Sequence, residues 1–373
     1  MNGRSGQADM SERARLQLSP RRAALVMLSC LCLPAAQARS PEVNVPPWAR
    51  YVKSLPRYQP RRQVSGTIRS WGHGFLKVMM HDWERGFHRF QPHVSFKDDL
   101  LSSGAAMAGL YTHRANLGVL AREIVPMEAA AYRKVAGQKP FPVTVLTGAY
   151  ADPDKIMALG VFVNRDNPLA RLDFRQLDAI FGARPLRGEA HSIRTWGELG
   201  LKGAWRNRTI HPYSGPSTDE APWFYFSQTV MRGSTLWNCA LQQLGGAEGP
   251  GGKRINGYQR AVDSVAADPD GIALTSAGYR NADAKLIAIA VHPAGPYIEP
   301  TLANVADRSY PLSRAVKFYI NDGPRIPPDP VVVEFLRYIL SRQGQEQVLR
   351  EGSFLPLTPA IVAAQLKKLP ATL

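Results

Sequence analysis

The sequence predicts an α/β fold with wound sheets, and three observations carry that expectation. Short apolar or β-branched runs alternate with amphipathic helical patterns along most of the chain, the order that yields strands joined by packed helices. One stretch near the end reads as a clear helix. Asp329 can cap it, Pro330 suits its first position, and Val332, Phe335, Leu336, Ile339 and Leu340 mark a single face. Finally, 373 residues with 45% hydrophobic and 20% charged content suffice for one large or two medium domains with a proper core.

Taken in order, residues 1–38 read as a secretory signal. Arg21 and Arg22 form a basic n-region, residues 23–33 an apolar core too short to span a bilayer, and Ala36-Gln37-Ala38 a small-x-small cleavage site. The exported chain is therefore expected to begin at Arg39, in the periplasm. Met27-Leu28-Ser29-Cys30 weakly resembles a lipidation site, but the apolar run continues past Cys30, which favours cleavage after Ala38. Residues 39–62 carry Pro41, Pro46, Pro47, Pro56 and Pro60 and read as an extended leader that Trp48, Tyr51 and Tyr58 could pin to the domain.

The folded body starts near Gln63. Residues 64–68 form a strand candidate, and Leu76, Met79, Met80, Trp83, Phe87 and Phe90 then share one helical face. His81 and His88 lie on a neighbouring face without a nearby third ligand and read as solvated histidines, not a metal site. Further strands are expected at 94–96, 143–146, 159–163, 209–211, 271–275, 287–291 and 316–320, and helices from Ala105, at 174–181 and at 255–267.

The chain is strongly basic, with 46 Lys+Arg against 30 Asp+Glu, a net charge of +16. The signal segment holds five Arg and two acids, so about +13 remains after its removal. Such an excess favours anionic solutes, acidic polymers, lipid headgroups or nucleic acid, or is simply a basic surface. Cys30 and Cys32 fall in the signal, leaving Cys239. Neither an intrachain disulfide nor a cysteine-rich metal site is then expected in the exported protein, and no cofactor is implied.

Three loops rich in Ser, Thr and Gly each follow a strand and precede a helix. They are Ser70-Trp71-Gly72-His73-Gly74, Ser102-Ser103-Gly104 and Ser214-Gly215-Pro216-Ser217-Thr218. Such a loop places hydroxyls and free backbone N–H groups at a helix N-terminus, a ready anion site, although a Ser/Gly pair there is more often only a cap. In open α/β sheets ligands gather at the carboxyl ends of strands. No Gly-x-Ser-x-Gly elbow, His-Glu-x-x-His, Walker loop or Gly-x-Gly-x-x-Gly occurs, so nothing assigns catalytic roles.

The segment from Tyr310-Pro311-Leu312-Ser313-Arg314 through Glu334-Phe335-Leu336, Leu340-Ser341 and Gly344-Gln345 to Pro356-Leu357 resembles the C-terminal signature of the phosphate-binding-protein-like family. Ala115-Asn116-Leu117-Gly118 with Ala121-Arg122-Glu123 is similar to that family's "Ala-Asp-Ile-Gly…Ser-Arg" segment, and Val163-Asn164, Asn167-Pro168 and Trp196-Gly197 are similar to its crossing and first second-lobe helix. The resemblance implies two wound α/β lobes of the type II periplasmic binding fold, with a ligand cleft between them. Lobe one would combine 63–165 and 285–373, and lobe two would be 166–284. It also implies phosphate or a related oxyanion or phosphorylated solute as ligand, a membrane ABC importer as partner, no nucleic acid, and a monomer. The ligand would be held by Ser70, Gly72, His73, Gly74, Ser102, Ser103, Gly104, Asn116, Arg122, Ser214, Gly215, Ser217 and Thr218.

The sequence departs from the family at three places. The third loop of the phosphate receptors reads Arg, then Asp-Gly-Ser-Gly-Thr; here His211-Pro212-Tyr213 leads in, no arginine is present and Pro216 lacks an amide donor. Asn116 stands where the family pattern has an Asp expected to accept the phosphate proton, and His73-Gly74 stand where a hydroxyl is usual. These changes predict weaker discrimination between phosphate and sulfate. They also leave room for a sensor or interaction protein that has lost transport, and for a phosphatase-like enzyme on the same scaffold.

Overall fold

The computed structural model describes residues 47–150, 152–155, 158–216 and 220–370. The expected signal segment, residues 39–46 of the leader, and Ser217 and Thr218 of the third loop lie outside the described residues.

The first lobe is built on a five-stranded sheet. Its spatial order is β2 (Val94–Asp99), β1 (Gly66–Gly72), β3 (Leu117–Leu120), β14 (Ala315–Ile320) and β4 (Phe141–Thr147). β1 runs parallel to β2 and β3, whereas β14 is antiparallel to β3 and β4. Strand alternation sends successive residues to opposite faces, and both faces are covered. Leu117, Val119 and Phe318 pack with α2 (Lys77–His88), α9 (Pro330–Ile339) and α10 (Arg342–Glu351). Leu120 and Tyr319 pack with α3 (Ser103–Tyr111) and α4 (Pro126–Ala136).

The helices follow from local chemistry. On α2 the residues Met79, Met80, Trp83 and Phe87 are buried, as the spacing predicts, and each large side chain removed from water contributes about 1.5–3 kcal/mol. The Trp83 indole N–H also donates to the Gly344 carbonyl at 2.9 Å, which ties α2 to α10. At the start of α9 the Asp329 carboxylate accepts the Val331 N–H at 2.9 Å and Pro330 occupies the first turn. That is the predicted cap, and it meets one of the donors a helix N-terminus leaves unpaired.

The second lobe holds a sheet in the order β12 (Ala284–Leu286), β5 (Leu159–Asn164), β11 (Gly271–Ser276), β7 (His211–Ser214) and β8 (Gln242–Gln243). β7 and β11 are parallel, and β5 is antiparallel to β11 and β12. Two short pairs flank it: β6 (Arg171–Asp173) with β13 (Ala288–Ala290), and β9 (Ala247–Glu248) with β10 (Arg254–Ile255). α5 (Phe174–Phe181), α6 (Glu220–Thr229) and α7 (Gly257–Ala267) supply its core, and α8 (Leu302–Ala306) precedes the return to the first lobe. α11 (Pro359–Lys368) closes the chain against the first sheet's core.

Two sequence expectations are corrected. The leader is not uniformly extended, because α1 (Pro47–Ser54) is a helix. Trp48, Tyr51, Val52 and Leu55 fall at offsets 0, 3, 4 and 7, one face that the proline count obscured. Val52 and Leu55 are buried, and the Tyr58 hydroxyl donates to Glu334 Oε1 at 2.8 Å. The lobe boundaries at 165 and 285 also move. β5, β12 and β13 belong to the second lobe, so the chain crosses before Leu159 and returns near Pro311–Arg314. The crossings run side by side, with Gly148 N–H donating to Arg314 O (3.1 Å) and Leu159 N–H to Leu312 O (3.0 Å). A strand as apolar as residues 159–163 of β5 carries no mark of which sheet it joins.

Candidate functional site

Because β1, β2 and β3 are parallel, their carboxyl ends deliver three segments to one edge of the first sheet. β1 ends in Gly72-His73-Gly74, β2 leads into Leu100–Gly104, and β3 leads into Ala121-Arg122. The segments are in contact. A Cβ on Gly72 would sit 2.0 Å from the Val119 carbonyl oxygen, and one on Gly74 would lie 3.1 Å from the Leu100 carbonyl oxygen. The buried Ser103 hydroxyl accepts the Ala121 N–H at 3.1 Å, joining the second loop to the end of β3. Ser102 caps α3, accepting the Gly104 N–H at 3.1 Å, so the positive end of that helix faces the same edge.

The His73 ring is half-buried beside this edge. Its Nδ1 accepts the Phe75 N–H at 3.3 Å, so the neutral ring carries its proton on Nε2. Burial, and then the nearby Arg122 charge, hold its pKa below the ordinary histidine value. His73 is thus a neutral donor where the family has a hydroxyl. Arg122 is fixed by two hydrogen bonds to the Glu128 carboxylate (2.7 and 2.9 Å) and one to the Glu123 carbonyl. Glu128 in turn accepts the Val125 N–H at the start of α4, which anchors the pair to the helix.

Two of the expected residues point elsewhere. Asn116 precedes β3, at the opposite end from Arg122. Its amide donates to Thr67 O (3.0 Å) and Asp329 Oδ2 (2.7 Å), and its oxygen accepts the Arg69 N–H (2.7 Å). It braces β1 and the α9 cap, so the expectation that it meets the phosphate proton fails. Ser70 is fully buried on the same strand face as Ile68, inside the packed side of the sheet. Its hydroxyl has no hydrogen-bond partner among the described residues.

The second lobe brings up the end of β7. Ser214 is buried there, and a Cβ on Gly215 would meet the Tyr258 ring at 2.4 Å, so only glycine fits. The Pro216 carbonyl accepts the Trp223 indole N–H at 3.1 Å, and Gln243 pairs with Ser214 across β8. A cavity of about 510 Å³ spans the two lobes, walled by Arg122 and Val125 from one and by Trp223, Phe224, Trp237 and Gln243 from the other. A larger cavity, about 790 Å³, lies by Pro216 and the crossing segment. Its wall carries Asp154 and Asp263 as well as Lys253 and Arg254, and Asn256 and Tyr279 both donate to Asp154. It therefore has no excess of positive charge to attract an anion.

Sequence reasoning passed over Arg314. This residue sits on the return crossing, 2% exposed, with its guanidinium donating to Ala121 O (3.3 Å) and Glu123 Oε2 (3.2 Å) and lying 5.5 Å from the Tyr225 ring centre. Tyr225, on α6, donates to Pro311 O and Ser313 O, and burial pushes its pKa up to about 12. Arg314 thus links the Arg122 segment, the crossing and the second lobe. Its signal was an arginine placed between Leu312 and the strand candidate 316–320.

Residues 59–343 match a family described as a PBP superfamily domain. The phosphate-binding protein PstS of Pseudomonas aeruginosa is 30% identical over 316 residues, 85% of this chain and 91% of that protein. Among solved structures, an ABC-type phosphate transport receptor from Vibrio cholerae superposes with a TM-score of 0.53 at 16% identity, covering 78% of this chain and 99% of that one. PstS from Borrelia burgdorferi does so with a TM-score of 0.54 at 13% identity, covering 79% and 100%. Those two likenesses speak to the fold of two wound lobes. The family match and the Pseudomonas relative show that this chain belongs to the PBP superfamily, in its phosphate-binding-protein-like family.

Proposed function

We propose that the chain is an exported, monomeric solute-binding protein that closes its two lobes on phosphate or a related oxyanion and hands it to a membrane ABC importer. The observation that carries this reading is the meeting of Gly72–Gly74, Ser102–Gly104 and the Ala121-Arg122 segment at the carboxyl edge of three parallel strands, with Arg122 facing a second-lobe wall. Backbone amides, a helix N-terminus, a neutral histidine N–H and a guanidinium are all donors, the set an oxyanion needs. The named relatives are phosphate-binding proteins, which supports a binding role over catalysis. The basic surplus would raise the local concentration of anions.

Discrimination is expected to differ from the sequence-based reasoning. Asn116 is spent on the scaffold, so selectivity between phosphate and sulfate does not run through it. The carboxylates at hand, Glu123 and Glu128, are bonded to Arg314 and Arg122. Calorimetric titration of phosphate-stripped protein tests the reading. Inorganic phosphate is expected to bind, and Arg122→Ala to weaken it by about tenfold to a hundredfold, the loss of one charge-assisted hydrogen bond. Heat from neither phosphate nor sulfate would favour an interaction or sensor protein instead.

A further inference from the structure

The wall opposite Arg122 carries three aromatic rings, Trp223, Phe224 and Trp237, beside Ser227, Thr235 and Gln243. Trp223 and Trp237 meet edge to face with ring centres 4.0 Å apart, and Trp237 stacks on Phe226 at 5.7 Å. The wall is held in place before any ligand arrives. The Trp223 N–H is bonded to Pro216 O, Trp237 bridges to Gly182, and the neighbouring Asn238 binds Ile180 and Phe181 through its side chain and backbone. Val125 extends the apolar lining onto the first lobe, beside Arg122.

A bare tetrahedral oxyanion has no use for such a surface. Every oxygen it presents seeks a donor, and tryptophan faces left against it stay wet. A cavity near 510 Å³, lined by Trp223, Phe224, Trp237 and Val125 together with the polar groups of Arg122, Ser227, Thr235 and Gln243, is instead of the size and mixed lining that hold a small organic ligand. Burying an apolar group against fixed rings gains hydrophobic and stacking free energy that costs no reorganisation. Building on the anion-binding reading, we infer that the preferred solute is an organic oxyanion. Its phosphonate- or phosphate-type headgroup faces Arg122, and its apolar or aryl substituent lies on Trp223, Phe224 and Trp237.

The test compares ligands on the unmodified, phosphate-stripped protein by calorimetry: inorganic phosphate, then methyl-, butyl- and phenylphosphonate, then phenol as the ring without the charge. Affinity is expected to rise along the phosphonate series, with phenylphosphonate binding about tenfold tighter than phosphate and phenol producing no heat. Trp237→Ala is expected to bring the phenylphosphonate-to-phosphate affinity ratio close to one. Phosphate binding as tightly as phenylphosphonate would overturn this inference and leave the phosphate-receptor reading standing. Binding of phenol as tight as that of phenylphosphonate would overturn it too. Heat from none of the anions would remove both.

Discussion

Arg314→Ala is expected to lose about 3 kcal/mol of stability, the lower end of the cost of removing one partner from a buried ion pair, because Glu123 keeps some contact with solvent. The guanidinium is buried, and its donors go to Ala121 O and Glu123 Oε2. Removing it leaves a carboxylate and a carbonyl without their partner, and a void beside the Tyr225 ring. Since a typical domain is stable by only 5–15 kcal/mol, a loss of this size should be plain in the urea midpoint. A double-mutant cycle with Glu123→Gln separates the causes. If the stranded charge dominates, the second change recovers part of the loss, because Glu123 no longer carries a charge to strand. If the void dominates, the two losses simply add. Arg314 also sits where Gly148 and Tyr225 bond the return crossing, so ligand affinity is expected to fall with stability.

Gly72→Ala is expected to cost about 3 kcal/mol, the upper end of ordinary overpacking. The added methyl would lie 2.0 Å from the Val119 carbonyl oxygen and 2.6 Å from its Cβ. The obstacle is mainly backbone of the neighbouring central strand, so no rotamer change relieves it. Either β1 and β3 separate at their ends or the Gly72–Gly74 turn shifts, and both outcomes move the first loop away from Arg122. The variant should unfold at lower urea with an unchanged slope, the sign that stability and not compactness has changed. Full stability in Gly72→Ala would mean that the two strand ends are looser than described.

Much of the fold was legible from local pattern. The α2 face and the α9 cap involve residues within a dozen positions of one another, and both formed as the spacing predicts. The first two loops could be seen because a Ser/Gly turn between strand and helix carries its own signature. What could not be read depended on long-range pairing. Whether β5 joins the first or second sheet rests on β11, about a hundred residues away. Asn116 resembled a ligand residue because it stands where the family pattern has an Asp, in the segment that leads to Arg122. Four residues along a strand are enough to put it at the far end, where Asp329 claims its amide. Arg314 and the aromatic wall were missed for the same reason, since their neighbours come from other parts of the chain.

The most direct test of the account is a crystal structure of the protein grown with phosphate. One anion is expected at the carboxyl edge of β1, β2 and β3, within hydrogen-bond distance of amides in 72–74 and 102–104 and of Arg122, with the Ser214-Gly215 turn drawn towards it. An anion seated instead in the cavity beside Asp154 and Tyr279, or one at the strand edge that leaves Arg122 untouched, would contradict it.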